Sequence, residues 1–230
     1  MSNKILVVED EKSIVEFIEL YLENENFEVY KCFTAEAALK IIDTVEFDLV
    51  LLDIMLPGKD GFFLCKKIRE VYRYPIIMLT SKTDEVSKIN GLTLGADDYI
   101  TKPFLPLEMI ARVKAQLRRY KKYNQTDVED YSGVLSYLGL ELNVKTRECS
   151  LKGKQLNLTP CEYDILRLLL EHKGEVVSSD ELFRLIWHDD YYTKNNTISV
   201  HVRHLREKLG DQAGNPKFIK TVWGVGYKIV

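Results

Sequence analysis

Short apolar runs alternate with amphipathic stretches through the first half of the 230-residue chain. Lys4–Val8, Phe27–Cys32, Asp48–Asp53, Pro75–Thr80 and Asp97–Thr101 are brief, bounded by polar residues, and read as buried parallel strands. Between the first two, Lys12–Asn24 places Ile14, Phe17, Ile18 and Tyr21 on one helical face. Further helices are expected from an N-cap at Thr34 to Ile42, over Gly61–Val71, over Asp84–Leu94, and over Pro106–Tyr120, where proline stands in the first turn. Five strands in strict alternation with five helices predict an α/β domain with a doubly wound, five-stranded parallel sheet and right-handed crossovers.

The alternation stops at residue 120. Residues 121–133 carry Lys121-Lys122, a polar stretch over Asn124–Asp130 and Ser132-Gly133, the composition of a linker. Leu135–Leu142, Glu148–Leu151 and Lys154–Leu158 then read as a small antiparallel sheet. Thr159-Pro160-Cys161-Glu162 combines a threonine cap, proline at N1 and glutamate at N3, so a helix is expected to His172. Ser178 or Ser179 caps a second helix through Trp187, and Asn195-Asn196 opens a third, Thr197–Leu209, ended by Gly210. Phe218–Val222 and Gly226–Ile229, joined through Trp223-Gly224-Val225, form a hairpin. Three helices followed by a hairpin is the layout of a winged helix-turn-helix. The expected organisation is one domain over 1–120, a linker over 121–133 and a second domain over 134–230.

Charge separates these halves. Residues 1–130 hold 18 Lys and Arg against 23 Asp and Glu, whereas residues 131–230 hold 14 against 12. The second excess is too small to establish nucleic-acid binding by itself, so its placement decides. Cys32, Cys65, Cys149 and Cys161 are scattered without a C-x-x-C pair, which argues against a disulfide framework or zinc site. No apolar run has membrane-span length, and the N-terminal run stops at Glu9-Asp10 as no signal peptide would. A cytoplasmic location without membrane attachment is expected.

The strand ends carry the chemistry. Glu9-Asp10, Asp53, Thr80 and Lys102 each stand where an apolar run finishes, and ligands of open α/β sheets bind outside those carboxyl ends. Grouped carboxylates repel unless a cation lies between them, and Mg²⁺ suits oxygen ligands and phosphate. A carboxylate is also a phosphoryl acceptor, while Lys102 can neutralise the transferring group and Thr80 can donate to it. Together with Ile54-Met55-Leu56-Pro57, Gly61, Ser81 and Pro103-Phe104, these residues resemble the full set of receiver-domain motifs of two-component response regulators. The resemblance covers residues 1–120 and implies the CheY-like strand order 2-1-3-4-5. It implies phosphorylation of Asp53, Mg²⁺ ligated by Asp10, Asp53 and the Met55 carbonyl with help from Glu9, and phosphoryl binding by Thr80 and Lys102. Tyr99 matches the aromatic switch position. The OmpR/PhoB subfamily further implies a twofold dimer pairing Lys88 with Glu108, Asp98 with Arg112 and Asp97 with Arg119.

On Thr197–Leu209, Ile198, Val202, Leu205 and Leu209 make an inward stripe, leaving Ser199, Val200, His201, Arg203, His204 and Arg206 for an outer face suited to the major groove. Residues 134–230 resemble the OmpR/PhoB effector domain through Leu158-Thr159-Pro160 with Glu162-Tyr163, Val200–Arg206, and Thr221-Val222 with Gly224 and Gly226-Tyr227. That resemblance implies base contacts from Ser199, Val200 and His204, and phosphate contacts from His201, Arg203, Arg206, Thr221 and Tyr227. His204 and Trp223 stand where many relatives carry arginine, Trp223 at the minor-groove position of the wing. Tyr74–Thr80, Gly95–Phe104, Ile110–Lys122 and Lys220–Ile229 are similar to VanR-type vancomycin-resistance regulators, implying control of cell-wall genes. The implied partners are a sensor histidine kinase, promoter double-stranded DNA with direct or inverted repeat half-sites, RNA polymerase and a second copy of the chain. The expected protein is a phosphoacceptor with at most slow self-dephosphorylation, not an enzyme. A haloacid-dehalogenase-like phosphohydrolase would need a second acid two residues after Asp53, where Met55 stands; a regulator active without phosphorylation is the third alternative.

Overall fold

The computed structural model describes residues 2–81, 94–122, 133–187, 197–212 and 214–230. The chain divides into two compact units, Met1–Leu117 and Arg118–Val230. In the first, β1 (Lys4–Val8), β2 (Glu28–Cys32), β3 (Leu49–Asp53), β4 (Ile76–Ser81) and β5 (Asp98–Lys102) form a parallel sheet in the order β2-β1-β3-β4-β5. β3 is buried throughout and takes the centre, as its nearly continuous apolar run requires.

Helices α1 (Lys12–Asn24), α2 (Ala35–Ile42), α3 (Gly61–Val71) and α4 (Pro106–Lys122) accompany these strands. The helix expected over Asp84–Leu94 falls on residues outside the described set, Leu94 excepted. Strand pleating divides the apolar side chains between two faces. Ile5, Val7, Leu49, Leu51, Ile77 and Leu79 pack with Ile18 and Leu22 of α1 and with Met109, Val113 and Leu117 of α4. Leu6, Val8, Val50 and Leu52 point to the opposite face and are equally buried, where α2 and α3 adjoin the sheet. Two helix starts are chemically marked: Thr34 Oγ1 accepts the Ala37 N–H at 3.2 Å, and Asp60 Oδ1 accepts the Phe63 N–H at 2.8 Å.

The second unit opens with a four-stranded antiparallel sheet, β6 (Val134–Tyr137), β7 (Leu140–Asn143), β8 (Cys149–Leu151) and β9 (Lys154–Leu156). Then come α5 (Pro160–Glu171), β10 (Val177–Ser178), α6 (Ser179–Trp187), α7 (Thr197–Leu209), β11 (Ile219–Val222) and β12 (Gly226–Ile229). The last three strands pair in the order β10-β12-β11. Leu142, Leu166, Leu169, Leu182, Trp187, Val202, Leu205, Ile219 and Ile229 share one core. The capping box at Thr159 and Glu162 is formed, and Ser178 Oγ accepts the Glu181 N–H at 3.0 Å as the cap of α6. Three details differ from the sequence expectation. Leu135–Leu142 is a hairpin rather than one strand, because Leu138 (φ 49°) and Gly139 (φ 80°) make a left-handed turn inside it. The helix expected to end at Tyr120 continues through Lys122, so the first two linker residues are helical. β10 carries no alternation signal, being two residues long and defined only by its pairing with β12.

Gly61 closes the approach of α3 to the end of β3. Its N–H donates to the Ile54 carbonyl at 3.0 Å, and an added Cβ would lie 2.1 Å from the Asp53 carbonyl oxygen. Backbone cannot yield as the tip of a side chain does, so Gly61→Ala must displace β3 or α3. The expected cost is about 1–3 kcal/mol, read in urea unfolding as an earlier transition of the first unit with the second unchanged.

Candidate phosphoacceptor pocket and nucleic-acid interface

The parallel topology brings the carboxyl ends of β1, β3, β4 and β5 to one edge of the sheet. Glu9 and Asp10 follow β1, Asp53 closes β3, Thr80 is the penultimate residue of β4 and Lys102 closes β5. Carboxylate oxygens of Glu9, Asp10 and Asp53 all lie within 4.8 Å of one another. Glu9 and Asp53 are buried, Asp10 is exposed, and Lys102 Nζ bridges the buried pair at 2.5 Å from Glu9 Oε2 and 3.0 Å from Asp53 Oδ1. Burial is the largest influence on Glu9 and, with the neighbouring Asp53 charge, pushes its pKa up despite Lys102. Burial opposes the Lys102 ammonium, but its hydrogen bonds to Glu9 and Asp53 outweigh that and hold its pKa above the ordinary value. One ammonium cannot balance three carboxylates, so the recess is matched to a hard divalent cation with oxygen ligands.

Thr80 is buried, stands opposite Thr101 in register, and its hydroxyl reaches the Ser81 carbonyl only at 3.4 Å. That contact is weak enough for the hydroxyl to turn toward a phosphoryl oxygen. Tyr99 is half-buried on β5 opposite Met78, and the Lys102-Pro103 peptide is cis. Methionine, not an acid, occupies the position two residues after Asp53, and the Met55 side chain is 73% exposed.

The charged residues expected at a dimer face separate into distinct environments. Asp98 and Glu108 both pair with Arg112, at 3.0 and 3.1 Å. Asp97 is not a surface group here: its buried carboxylate takes hydrogen bonds from Arg69 at 2.6 Å and from the Ile76 N–H at 2.9 Å. Arg69 was missed because its partner is 28 residues away, with no local spacing to mark it. Arg119 belongs to the second unit, with its guanidinium 3.1 Å from Asp164. Lys88 lies outside the described residues.

α7 and the hairpin β11–β12 make the second candidate site. Eight of the thirteen residues of α7 are buried, among them Val200, His201 and His204, which the sequence assigned to an outer face. The His201 ring lies 6.2 Å from that of Trp187, which is itself stacked on Phe183. An imidazole ring has a largely apolar body that can pack in a core, so the inward stripe is wider than its aliphatic residues suggest. Ser199 and Arg203 are exposed, and the Arg203 guanidinium pairs with Glu207 at 3.1 Å. Arg206 and Thr221 are half-buried and bond to each other at 2.8 Å, and Tyr227 is buried. At the hairpin tip Trp223 is 90% exposed.

Residues 5–114 match the family described as Response regulator receiver domain, and residues 153–229 match Transcriptional regulatory protein, C terminal. The chain belongs to the OmpR/PhoB family of response regulators. It is 62% identical over 230 residues to Regulatory protein VanR of Enterococcus faecium, covering 100% of this chain and 99% of that protein. A solved RitR mutant aligns with a TM-score of 0.81 at 27% identity, covering 100% of this chain and 99% of that one. The response regulator DrrB, a Thermotoga maritima OmpR/PhoB homolog, aligns over 100% of both chains with a TM-score of 0.52 at 32% identity. The response regulator thus joins an acidic receiver pocket, of the kind that takes Mg²⁺, to a DNA-binding transcription-regulatory domain. Among the described residues, no helix is long and apolar enough to cross a membrane.

His204 has a stability consequence. Burial lowers its pKa, outweighing the nearby Glu162 and Glu207 and reinforced by Lys208 and Arg203. The folded domain therefore holds this proton less tightly than the unfolded chain, and stability is lost as pH falls through the ordinary histidine value near about 6.5. The wild-type second unit is expected to lose more melting temperature than His204→Gln between about pH 7.5 and 5.5, measured by circular dichroism.

Proposed function

We propose that Asp53 is the phosphoacceptor of a two-component switch whose output is promoter binding by α7 and the wing β11–β12. The carrying observation is the Lys102 ammonium held between Glu9 and Asp53 in a recess of three clustered carboxylates. An Asp53 oxygen attacks the phosphorus of a sensor histidine kinase's phosphohistidine. The new P–O bond forms as the P–N bond breaks, and the imidazole keeps the electron pair and takes up a proton. Lys102 screens the charge of the transferred group and Thr80 donates to one of its oxygens. Glu9, Asp10, Asp53 and the Met55 carbonyl would hold Mg²⁺, which supplies charge neutralisation of the phosphoryl oxygens. Tyr99, beside these groups on β5, would couple phosphoryl binding to the charged face, shifting the population between two packings.

That face supports a twofold dimer in which Glu108 meets Lys88 and Asp98 meets Arg112 of a second copy. Asp98, Glu108 and Arg112 already pair within one copy, so dimerisation would exchange partners rather than create new charges. Asp97, tied to Arg69, would contribute through β5 rather than through Arg119. The likeness to VanR supports a role in glycopeptide-resistance or cell-wall gene control; on this reading the protein acts in the cytoplasm with RNA polymerase as downstream partner.

With Mg²⁺ and acetyl phosphate, the wild type is expected to gain one acid-stable, base-labile phosphoryl group by mass spectrometry, and Asp53→Ala none. Modification of Asp53→Ala, or rapid multiple turnover of acetyl phosphate by the wild type, would overturn the assignment. Arg112→Glu should keep the phosphoryl group yet weaken dimers by roughly tenfold or more, because it places like charges together at an interface. Sedimentation velocity with and without acetyl phosphate checks this, and unchanged dimerisation would remove Arg112 from the interface.

A further inference from the structure

β11 is an edge strand of the three-stranded sheet. The Val230 N–H donates to the Phe218 carbonyl at 3.0 Å, and Ile219 stands opposite Ile229, so the alternating ladder turns the Ile219 N–H and C=O away from β12 onto the open edge. Two side chains from the end of α7 take both groups. Asp211 Oδ2 accepts the N–H groups of Ile219 at 2.9 Å and Phe218 at 3.3 Å, while its Oδ1 accepts that of Lys217 at 2.6 Å. The Arg206 guanidinium donates to the Ile219 carbonyl from Nε at 3.2 Å and from Nη2 at 2.8 Å, and Nη2 also donates to Thr221 Oγ1 at 2.8 Å. The two anchors are fixed to each other as well. The Gly210 and Asp211 N–H groups donate back to the Glu207 and Arg206 carbonyls at 3.3 and 2.8 Å, the Schellman pattern of a helix end.

We infer that Arg206 and Asp211 are positioning residues for DNA binding, setting the wing against α7. The inference rests on the DNA-binding reading of the second unit and gives Arg206 and Thr221 a task beyond the phosphate contacts expected of them. What the clamp aims is chemically suited to DNA. Lys220 and Lys228 stand directly opposite each other on the hairpin, a like-charge pairing that is unfavourable until an anion lies nearby. Trp223 projects from the tip, where an apolar wedge can enter a minor groove. Asp211 is buried, with its carboxylate committed to the N–H groups of Lys217, Phe218 and Ile219.

The test uses the full-length chain and a duplex enriched from a random-sequence pool by the wild type. Arg206→Lys keeps the charge but loses the fork that grips Ile219 and Thr221. Asp211→Asn removes a negative charge, which would tighten binding if charge alone mattered. Both are expected to weaken binding roughly tenfold, the scale of one lost charge-assisted hydrogen bond. Both should lose hydroxyl-radical protection from the wing while keeping major-groove methylation interference from α7. The double variant should be little worse than either single one. Arg203→Ala, by contrast, should keep the whole footprint and lower the salt slope by about 0.9. Wild-type affinity in Arg206→Lys, tighter binding by Asp211→Asn, or a footprint that fades uniformly overturns the inference, and Arg206→Lys decides alone if Asp211→Asn does not fold. A wild type that enriches no duplex overturns the DNA-binding reading and the clamp with it.

Discussion

Three carboxylates crowded at the end of a parallel sheet, two of them out of water, make an electrostatic problem that the first unit is arranged around. Like charges so close favour protonation or separation. Here the strand ends hold them together and Lys102 offsets part of the repulsion. The backbone contributes directly: Gly61 lets α3 begin against the Asp53 carbonyl, and the Glu9 N–H is tied to Cys32 at 3.0 Å. The negative charge left over in the recess is of the size that a divalent cation offsets, the kind of ion that receiver pockets take. The phosphoryl group proposed for Asp53 would add negative charge that the strand ends must accommodate, which suits the pocket to serve as the input of a switch.

The second unit solves a different problem, which is to present a short hairpin at a defined angle from a helix. A free edge strand would leave backbone groups exposed and invite pairing with other chains. Asp211 and Arg206 close that edge with side chains from the neighbouring helix end, so edge protection and orientation come from the same bonds. Gly226 shows how tightly the sheet is built on its other side, since an added Cβ would meet the Val177 carbonyl oxygen at 2.1 Å.

Much of the fold was legible because its signals are local. Run length and alternation locate β1 to β5, the Thr159–Glu162 box starts α5, and Lys152-Gly153 turns the β8–β9 hairpin. The pocket was legible for a related reason: parallel topology converts strand ends into neighbours, so position in sequence implies position in space. Side-chain partners across long intervals were not. Nothing near Asp97 points to Arg69, and nothing near Ile219 points to Asp211 or Arg206. The buried face of α7 is wider than the pattern implies for a third reason. Histidine counts as polar in a sequence pattern, yet its ring can fill a core, so the burial of His201 and His204 leaves no trace in the pattern.

The burial of these residues changes where DNA recognition can reside. With Val200, His201 and His204 buried, the exposed surface in the first half of α7 narrows to Ser199 and Arg203. Arg203 carries one charge and Ser199 one short hydroxyl, which is little with which to discriminate base pairs in a major groove. Specificity built on so small a helical face must draw on contacts made elsewhere or on the shape of the duplex. The hairpin carries groups suited to such contacts, Lys220, Lys228 and the exposed Trp223. Shape readout depends on where two contacting elements stand relative to each other, since an error in their angle is an error in the groove width they fit. The bonds from Arg206 and Asp211 to β11 set that angle, so a helix with few readable residues can still contribute to specificity by fixing the wing.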